Sequence, residues 1–356
     1  MDDEIANSLS IAQAWIKKNT NRNPFTKLKK HIIETGACTE CGACVSNCPV
    51  DALTGMHKKG KYIPELTGKC IACGICYDVC PKTASSQNDL LGDIRSVWKV
   101  KATEEYPRRQ NGGAVTAVLS YMLEHEAVDG AVIACQDPDK PWYPKPKIAT
   151  KKPEITDCAG TVYTHSPIVE GVMEGFRSGL SALAVVGTSC NLDAIANMEN
   201  NPAGVLNIDL KHSLFKIGLF CMESFNYSKL KDFLEEDGVS IEDVEKFSIE
   251  KGKLIVTTSE ETKKWPISKL SPSAASSCPY CRDLTAKNGD ISCGNIGTNS
   301  DWTTVLVRTI QGEHMLQAAI EAEYIQAEEL SSKGLRILER IARMKFNRLY
   351  DLESTH

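Results

Sequence analysis

A chain of 356 residues has room for two or three domains, each with its own core. Its composition, 42% hydrophobic and 24% charged, is that of a globular protein and excludes a disordered one. A net charge of −5 with no basic arm or stripe argues against a nucleic-acid partner, and apolar stretches such as Val128–Cys135 are far too short to span a membrane.

Residues 1–36 open with Ile5, Leu9, Ala12, Trp15 and Ile16, spaced like one face of a helix and broken by Asn19 through Pro24. They read as a helical extension packing on the module that follows. They hold Asp2, Asp3, Glu4, Lys17 and Lys18 and no secretory h-region. The expectation is a soluble, cytoplasmic protein without direct membrane insertion, able to sit on the periphery of a membrane complex through another subunit.

Residues 37–90 contain one pattern twice. Cys38, Cys41, Cys44 and Cys48 precede Pro49, and Cys70, Cys73, Cys76 and Cys80 precede Pro81. Both runs have the spacing C-x₂-C-x₂-C-x₃-C-P of bacterial ferredoxins with two [4Fe–4S] clusters, in which the fourth cysteine of each run ligates the other cluster. Cys38, Cys41, Cys44 and Cys80 are therefore assigned to one cube, and Cys70, Cys73, Cys76 and Cys48 to the other. Short C-x₂-C loops turn backbone N–H groups toward the sulfurs. Zinc sites call for a different rhythm, and disulfides suit neither this crowding nor a chain without a secretory signal. Met56–Leu66, between the runs, is expected to be a hairpin.

Apolar periodicity is lost after Ser85, Ser86, Asn88 and Asp89, so residues 91–109 are read as a linker. Residues 110–310 form the second domain. Asn111-Gly112-Gly113-Ala114 leads into a helix over Val115–Glu124, where bare N–H groups at a helix N-terminus would suit a phosphate. A strand is expected at Ala131–Ala134 and an ordered loop from Pro138 to Pro146. A hydroxyl-rich turn at 158–167 precedes a helix over Val169–Phe176. The strand Leu183–Gly187 runs toward Cys190 and a helix at Asn191–Met198, and the strand Phe215–Phe220 runs into Cys221. A charged helix and a hairpin around Lys251-Gly252-Lys253 follow, then Cys278-Pro279-Tyr280-Cys281 and a strand at Thr304–Arg308. Residues 311–356 read as C-terminal helices, with Leu335, Leu338, Ile341, Ala342 and Leu349 on one face. Arg336, Arg340, Arg343, Lys345 and Arg348 are placed on a solvated face.

Outside the ferredoxin runs, seven of the fifteen cysteines remain: Cys135, Cys158, Cys190, Cys221, Cys278, Cys281 and Cys293. Cys190, Cys221, Cys278 and Cys281 form a soft-ligand set fit for a third [4Fe–4S] cluster or for zinc, against the alternative of scattered buried cysteines. Neither a G-x-G-x-x-G nor a G-x₄-G-K-[ST] is present, so both nucleotide fingerprints are missing. Clusters carry single electrons, and a two-electron substrate would need a flavin to split the pair.

Asn111–Thr116, Gly160–Thr164, Gly218–Phe225, Cys278–Asp283 and Asp290–Gly294 resemble the family of β subunits of coenzyme F-420 hydrogenases and dehydrogenases, over about Gln110 to Tyr350. A ferredoxin module ahead of that domain is similar to the input subunit of archaeal F-420 dehydrogenases. The resemblance implies an α+β chain: a two-cluster ferredoxin module, a mixed α/β FAD-binding F-420 oxidoreductase domain and a C-terminal helical segment. It implies a third [4Fe–4S] cluster on Cys190, Cys221, Cys278 and Cys281. It implies FAD lined by Asn111, Gly112, Gly113, Thr116, Gly160, Thr161, Tyr163, Thr164, Ser166, Gly294 and Gly297, with Met222 and Phe225 as walls against a ring system or as ordinary core. The chemistry would be flavin-centred hydride exchange with F-420, with no side chain assigned as acid or base and His165 read as a surface residue. Electrons would pass to or from a redox protein or a larger oxidoreductase complex, as in archaeal methane metabolism. The alternatives are a ferredoxin-coupled flavin reductase of a sulfur compound or tetrapyrrole, and an electron-transfer subunit of a hydrogenase or formate dehydrogenase complex.

The chain departs from the family pattern in four places. Val162 stands where lysine is common, leaving Lys145, Lys147, Lys151 or Lys152 to substitute. Ser189-Cys190-Asn191 replaces Pro-Cys-Gln, Asn299–Trp302 replaces a Pro-Asp-Gly-Trp loop, and Cys293 replaces a non-cysteine.

Overall fold

In the computed structural model of the chain the described residues are 25–35, 43–46, 48–58, 61–78, 88–106, 109–200, 212–275 and 277–351. The helical face expected from Ile5 to Ile16 lies outside them, as do Cys38, Cys41 and Cys80. The chain divides into one unit formed by Met1–Leu90 with Asn347–His356, and a second formed by Leu91–Phe346.

In the first unit the helical turns α1 (Phe25–Leu28), α2 (Ala43–Ser46) and α3 (Ile75–Asp78) accompany the hairpin of β1 (Leu53–Lys58) and β2 (Lys61–Leu66), paired Leu53↔Leu66 to Lys58↔Lys61. The expected hairpin is present. A small core of Phe25, Leu28, Ile32, Leu53 and Tyr77 includes two cysteines, Cys44 and Cys76. A further turn, α4 (Asn88–Leu91), ends at the boundary.

The second unit runs β3 (Ser96–Ala102), α5 (Ala114–Glu124), β4 (Gly130–Asp137), β5 (Lys140–Ala149), α6 (Lys152–Asp157), α7 (Ile168–Arg177), β6 (Ala182–Thr188), α8 (Ser189–Asn200) and β7 (Ser213–Leu219). It continues through α9 (Tyr227–Glu236), β8 (Val244–Glu250), β9 (Lys253–Thr258), β10 (Thr262–Pro266), β11 (Ile291–Gly294), β12 (Thr303–Val307), α10 (Ile310–Glu321), β13 (Ile325–Glu329) and, as far as Phe346, α11 (Ser332–Asp351). Eight strands form one sheet in the order β13-β3-β12-β11-β7-β6-β4-β5, whose centre, β11-β7-β6-β4, is parallel.

Parallel strands are covered on both faces, so they read as continuous apolar runs, and side chains divide alternately between the two sides. Ala131, Ile133, Ala184 and Ile217 face a core shared with Val118 and Met122 of α5 and Leu316 of α10. Val132, Leu183 and Val185 face the opposite core, with Val172 of α7 and Leu192 and Ile195 of α8. A separate antiparallel sheet, β10-β9-β8, closes a third core with α9 around Trp142, Phe225 and Phe247.

Three expectations are corrected. Residues 91–109 are no linker: they contain β3, hydrogen-bonded between β12 and β13 inside the second unit. Pro138 to Pro146 is mostly strand β5, which tolerates prolines because it is the edge of the sheet. The C-terminal stretch is not all helical, since β13 pairs with β3 between α10 and α11. Among the described residues no helix is long and apolar enough to cross a membrane.

Candidate functional site

In the first unit, Cys48, Cys70, Cys73 and Cys76 line one cavity together with Phe25, Leu53 and Gly74. These are the four thiols assigned to one cube, the crossed-over Cys48 included. The Ala52 N–H donates to Cys48 Sγ at 3.2 Å and the Ala72 N–H to Cys70 Sγ at 3.3 Å, the backbone support that anionic sulfur requires. Burial first, then the neighbouring Cys44, Cys73 and Cys70, push the Cys76 thiol up to about 12. A cationic metal core offsets that cost by stabilising the thiolate, and this all-thiol donor set fits an iron–sulfur cube.

In the second unit the parallel register sets Thr188, the end of β6, beside Leu219, the end of β7. The chain leaves both strands at the same edge of the sheet, and Cys190 and Cys221 follow two residues on, outside the carboxyl ends where ligands collect in such folds. The segment carrying Cys278 and Cys281 is tied to them by three bonds. Cys221 N–H donates to the Leu284 carbonyl at 2.8 Å, Ser189 Oγ to the Asp283 carbonyl at 2.8 Å, and Ser224 N–H to Cys278 Sγ at 3.3 Å. Cys221 is pushed up to about 11 by burial and then by the approach of Cys278, Cys190 and Cys281, so the four sulfurs sense one another. Among the described residues no three His, Cys, Asp or Glu side chains are packed tightly enough to clamp a single metal ion. A four-iron cube holds its thiolates farther apart than one ion does, and the soft all-sulfur donor set suits it.

His165 is exposed, as expected, but its Nε2 stands 3.9 Å from Cys278 Sγ. Hydrogen bonds to Cys190 and then Cys278 push the imidazole up to about 10, and the same contact holds Cys190 below its ordinary value. Burial raises the Cys278 thiol, but His165 and the Ser224 N–H outweigh it. Nothing in the local sequence marks His165 as a sulfur partner; only the fold brings it there.

The loop holding His165 joins the cysteines to the other predicted segments, one residue after another. Tyr163 is held by the Ile249 backbone on β8 and pushed up to about 12 by burial. Thr164 bridges Phe225, and Ser166 offers its carbonyl to Asn191 Nδ2 at 3.5 Å. The Ser166 hydroxyl is buried with no hydrogen-bond partner among the described residues, an orphan of the kind a bound polar group satisfies. Strand β8 also receives Gln110, whose Nε2 donates to the Phe247 carbonyl at 2.8 Å, and Asn295, whose Nδ2 donates to the Ile249 carbonyl at 3.3 Å. Gln110, Tyr163 and Asn295, one residue from each of three predicted segments, thereby meet one strand.

Within these segments the roles divide. Gly113 caps α5 at φ 69°, a left-handed conformation that favours glycine, and no side chain caps the helix. Its first-turn N–H groups are thus available to an anion, and Thr116 lies in that turn. Gly112 is buried against β3 and β12, Gly294 lies under the Phe220 ring, and Gly297 abuts the Gly334 backbone. Gly160 is exposed, while Asn111 and Thr161 are partly so. Phe225, 1% exposed, packs in the third core, whereas Met222 stays partly exposed. Cys293 is also core, its thiol pushed up to about 12 by burial. Of the candidate substitute cations, Lys145 pairs with Asp137 and Lys152 with Glu104, both at 2.6 Å; Lys147 and Lys151 form no ion pair among the described residues. In the Asn299–Trp302 segment, Trp302 carries Lys99 and Lys101 over its ring at 4.5 and 5.0 Å. Cys135 and Cys158, left unassigned by the sequence, form a disulfide joining β4 to the residue that follows α6.

The family described as "4Fe-4S dicluster domain" matches residues 37–85. Two further families describe the N-terminal and the C-terminal parts of the coenzyme F-420 hydrogenase/dehydrogenase beta subunit; they match residues 97–172 and 180–333. The chain is 32% identical to the beta subunit of the coenzyme F-420 hydrogenase of Methanothermobacter thermautotrophicus, over 72% of this chain and 92% of that protein. It is 28% identical to the F subunit of the F-420H2 dehydrogenase of Methanosarcina mazei, over 88% and 90% of the two chains. A chain in the F-420-reducing [NiFe] hydrogenase complex from Methanosarcina barkeri superposes with a TM-score of 0.70 at 29% identity, covering 74% of this chain and 93% of that one. With its parallel sheet, its cysteine-bearing strand ends and a dicluster domain in front, the chain belongs to the family of coenzyme F-420 hydrogenase/dehydrogenase β subunits.

Proposed function

We propose that this protein is an iron–sulfur flavoprotein that exchanges electrons between coenzyme F-420 and a redox partner protein, through FAD, a cluster on Cys190, Cys221, Cys278 and Cys281, and two clusters in the N-terminal module. FAD, when bound, supplies hydride exchange with F-420 on one side and single-electron transfer on the other. The observation that carries the reading is the run Tyr163–Ser166. Its first residue reaches β8, which Gln110 and Asn295 also meet, and His165 reaches the cysteines two residues later.

The uncapped first turn of α5 would receive the anionic pyrophosphate, with Asn111 and Thr116 beside it. The Ser166 hydroxyl would donate to the polar edge of the cofactor. The paired ends of β6 and β7, Thr188 beside Leu219, fix the points from which Cys190 and Cys221 would hold a cluster, which would supply single-electron transfer there. The likeness to the F subunit of the F-420H2 dehydrogenase of Methanosarcina mazei, over 88% of this chain and 90% of that one, supports F-420 as the partner in this reading.

The test is anaerobic mixing of the purified protein with reduced F-420 while flavin absorbance is followed. Bleaching within the mixing experiment is the expected result, and a flavin spectrum unchanged by reduced F-420 overturns the reading.

A further inference from the structure

The buried face of α11 is drawn by Leu338, Ala342 and Phe346, at 0%, 1% and 6% exposure. Lys345 lies on that face too, at 2% exposure, where the helical period calls for an apolar residue and where the sequence pattern placed a solvated cation. Arg336, Arg340 and Arg343, on the other side, are exposed or partly so. The Lys345 ammonium donates to the backbone carbonyl of Cys221 and forms no ion pair among the described residues. Asp193, which feels its charge, is itself bonded to Asn288 at 2.8 Å.

A buried ammonium with one neutral acceptor is costly, and chains retain it where a counter-charge compensates. The Lys345 charge acts on two of the thiols next to it, Cys221 and Cys278. A cube bound by four thiolates is an anion, and becomes more so when reduced. Net charge and hydrogen bonding around the sulfurs are the means by which a protein sets a cluster's potential.

We propose that Lys345 is the positioning residue that sets the potential of the cluster on Cys190, Cys221, Cys278 and Cys281, by placing a fixed, desolvated positive charge beside it. The inference rests on the proposed third cluster. A fixed cation favours the more negative, reduced state, so its loss lowers the midpoint potential. A lysine serving merely to tether α11 to the end of β7 would leave the potential alone as long as a hydrogen-bond donor remained.

The experiment is an EPR-monitored redox titration of the full-length wild type, Lys345→Gln, Lys345→Arg and Cys278→Ser proteins, purified anaerobically, with iron content measured for each. The signal missing from Cys278→Ser identifies the third cluster. In Lys345→Gln, which keeps a donor but not the charge, that signal is expected to titrate at a more negative potential. The expected change is tenfold or more in the one-electron equilibrium, about 59 mV. Lys345→Arg is expected to hold the wild-type midpoint. An unmoved midpoint in Lys345→Gln, or an equal shift in Lys345→Arg, overturns the inference while leaving the cluster assignment standing. Unchanged iron content and signals in Cys278→Ser overturn the cluster assignment and the inference with it.

Discussion

A methyl group added at Gly112 would stand 2.5 Å from the Val100 carbonyl oxygen and 2.8 Å from the Thr303 nitrogen. Both are backbone atoms of paired strands, β3 and β12, so no rotamer change relieves the overlap. Gly112→Ala is expected to lower stability by about 2–3 kcal/mol in urea unfolding of the cofactor-free protein. A glycine serving a ligand alone would leave that measurement unchanged. The resemblance gives Gly112 as a residue lining FAD, and nothing in the sequence says whether a cofactor or a neighbouring strand needs the space. Phe225 carries the same ambiguity, since an aromatic residue near a cysteine looks alike as wall or as core. Lys345 hides more deeply: a lysine is assigned to water by its chemistry, and only the spacing of Leu338, Ala342 and Phe346 around it hints otherwise.

At the scale of elements, β4, β6, β7 and β12 are the strands legible in the sequence; β4, β6 and β12 owe this to apolar runs buried on both faces, whereas β7 is legible despite Lys216 in its middle. Most of those missed lie toward the margins, but β11, four residues long and holding Ser292 and Gly294, is missed between β12 and β7. β5 is hidden by Pro141, Pro144 and Pro146, and β13 is short and half acidic, as edge strands often are. β3 carries two lysines and pairs with β13, so its polar alternation resembles a linker. Register between β4 and β6 is fixed at its start by Asp129, whose Oδ2 accepts from the Ser181 and Ala182 N–H groups at 2.8 Å and from Ser181 Oγ at 3.0 Å. The Ala182 and Ser181 N–H bonds hold this carboxyl below its ordinary 3.8. The folded chain therefore releases that proton more readily than the unfolded one, and stability from this group is full above pH 3.8 and lost as pH falls through the depressed value. The stability difference between wild type and Asp129→Asn, measured by denaturant titration at a series of pH values, is expected to shrink as pH drops below 3.8. A difference independent of pH would show that the carboxylate charge contributes nothing to the join.

For the whole molecule, the number of clusters is the quantity that separates the readings. The dicluster runs were legible because eight cysteines in a fixed rhythm admit few other chemistries. The third set was half legible, for its members lie far apart in sequence and only the parallel register brings Cys190 and Cys221 to one edge. Anaerobically purified protein is expected to contain about twelve irons and one FAD per chain, and Cys278→Ser about eight irons with the flavin retained. Iron near eight in both proteins would return Cys190, Cys221, Cys278 and Cys281 to the status of buried thiols.

The cavity in the first unit joins Cys48, which precedes the β1–β2 hairpin, to Cys70, Cys73 and Cys76, which follow it. A nascent chain released from the ribosome no further than that hairpin would present one donor of the set and none of its partners. A cube on this set can therefore be seated only after both cysteine runs have emerged, which ties its insertion to the completion of the whole module.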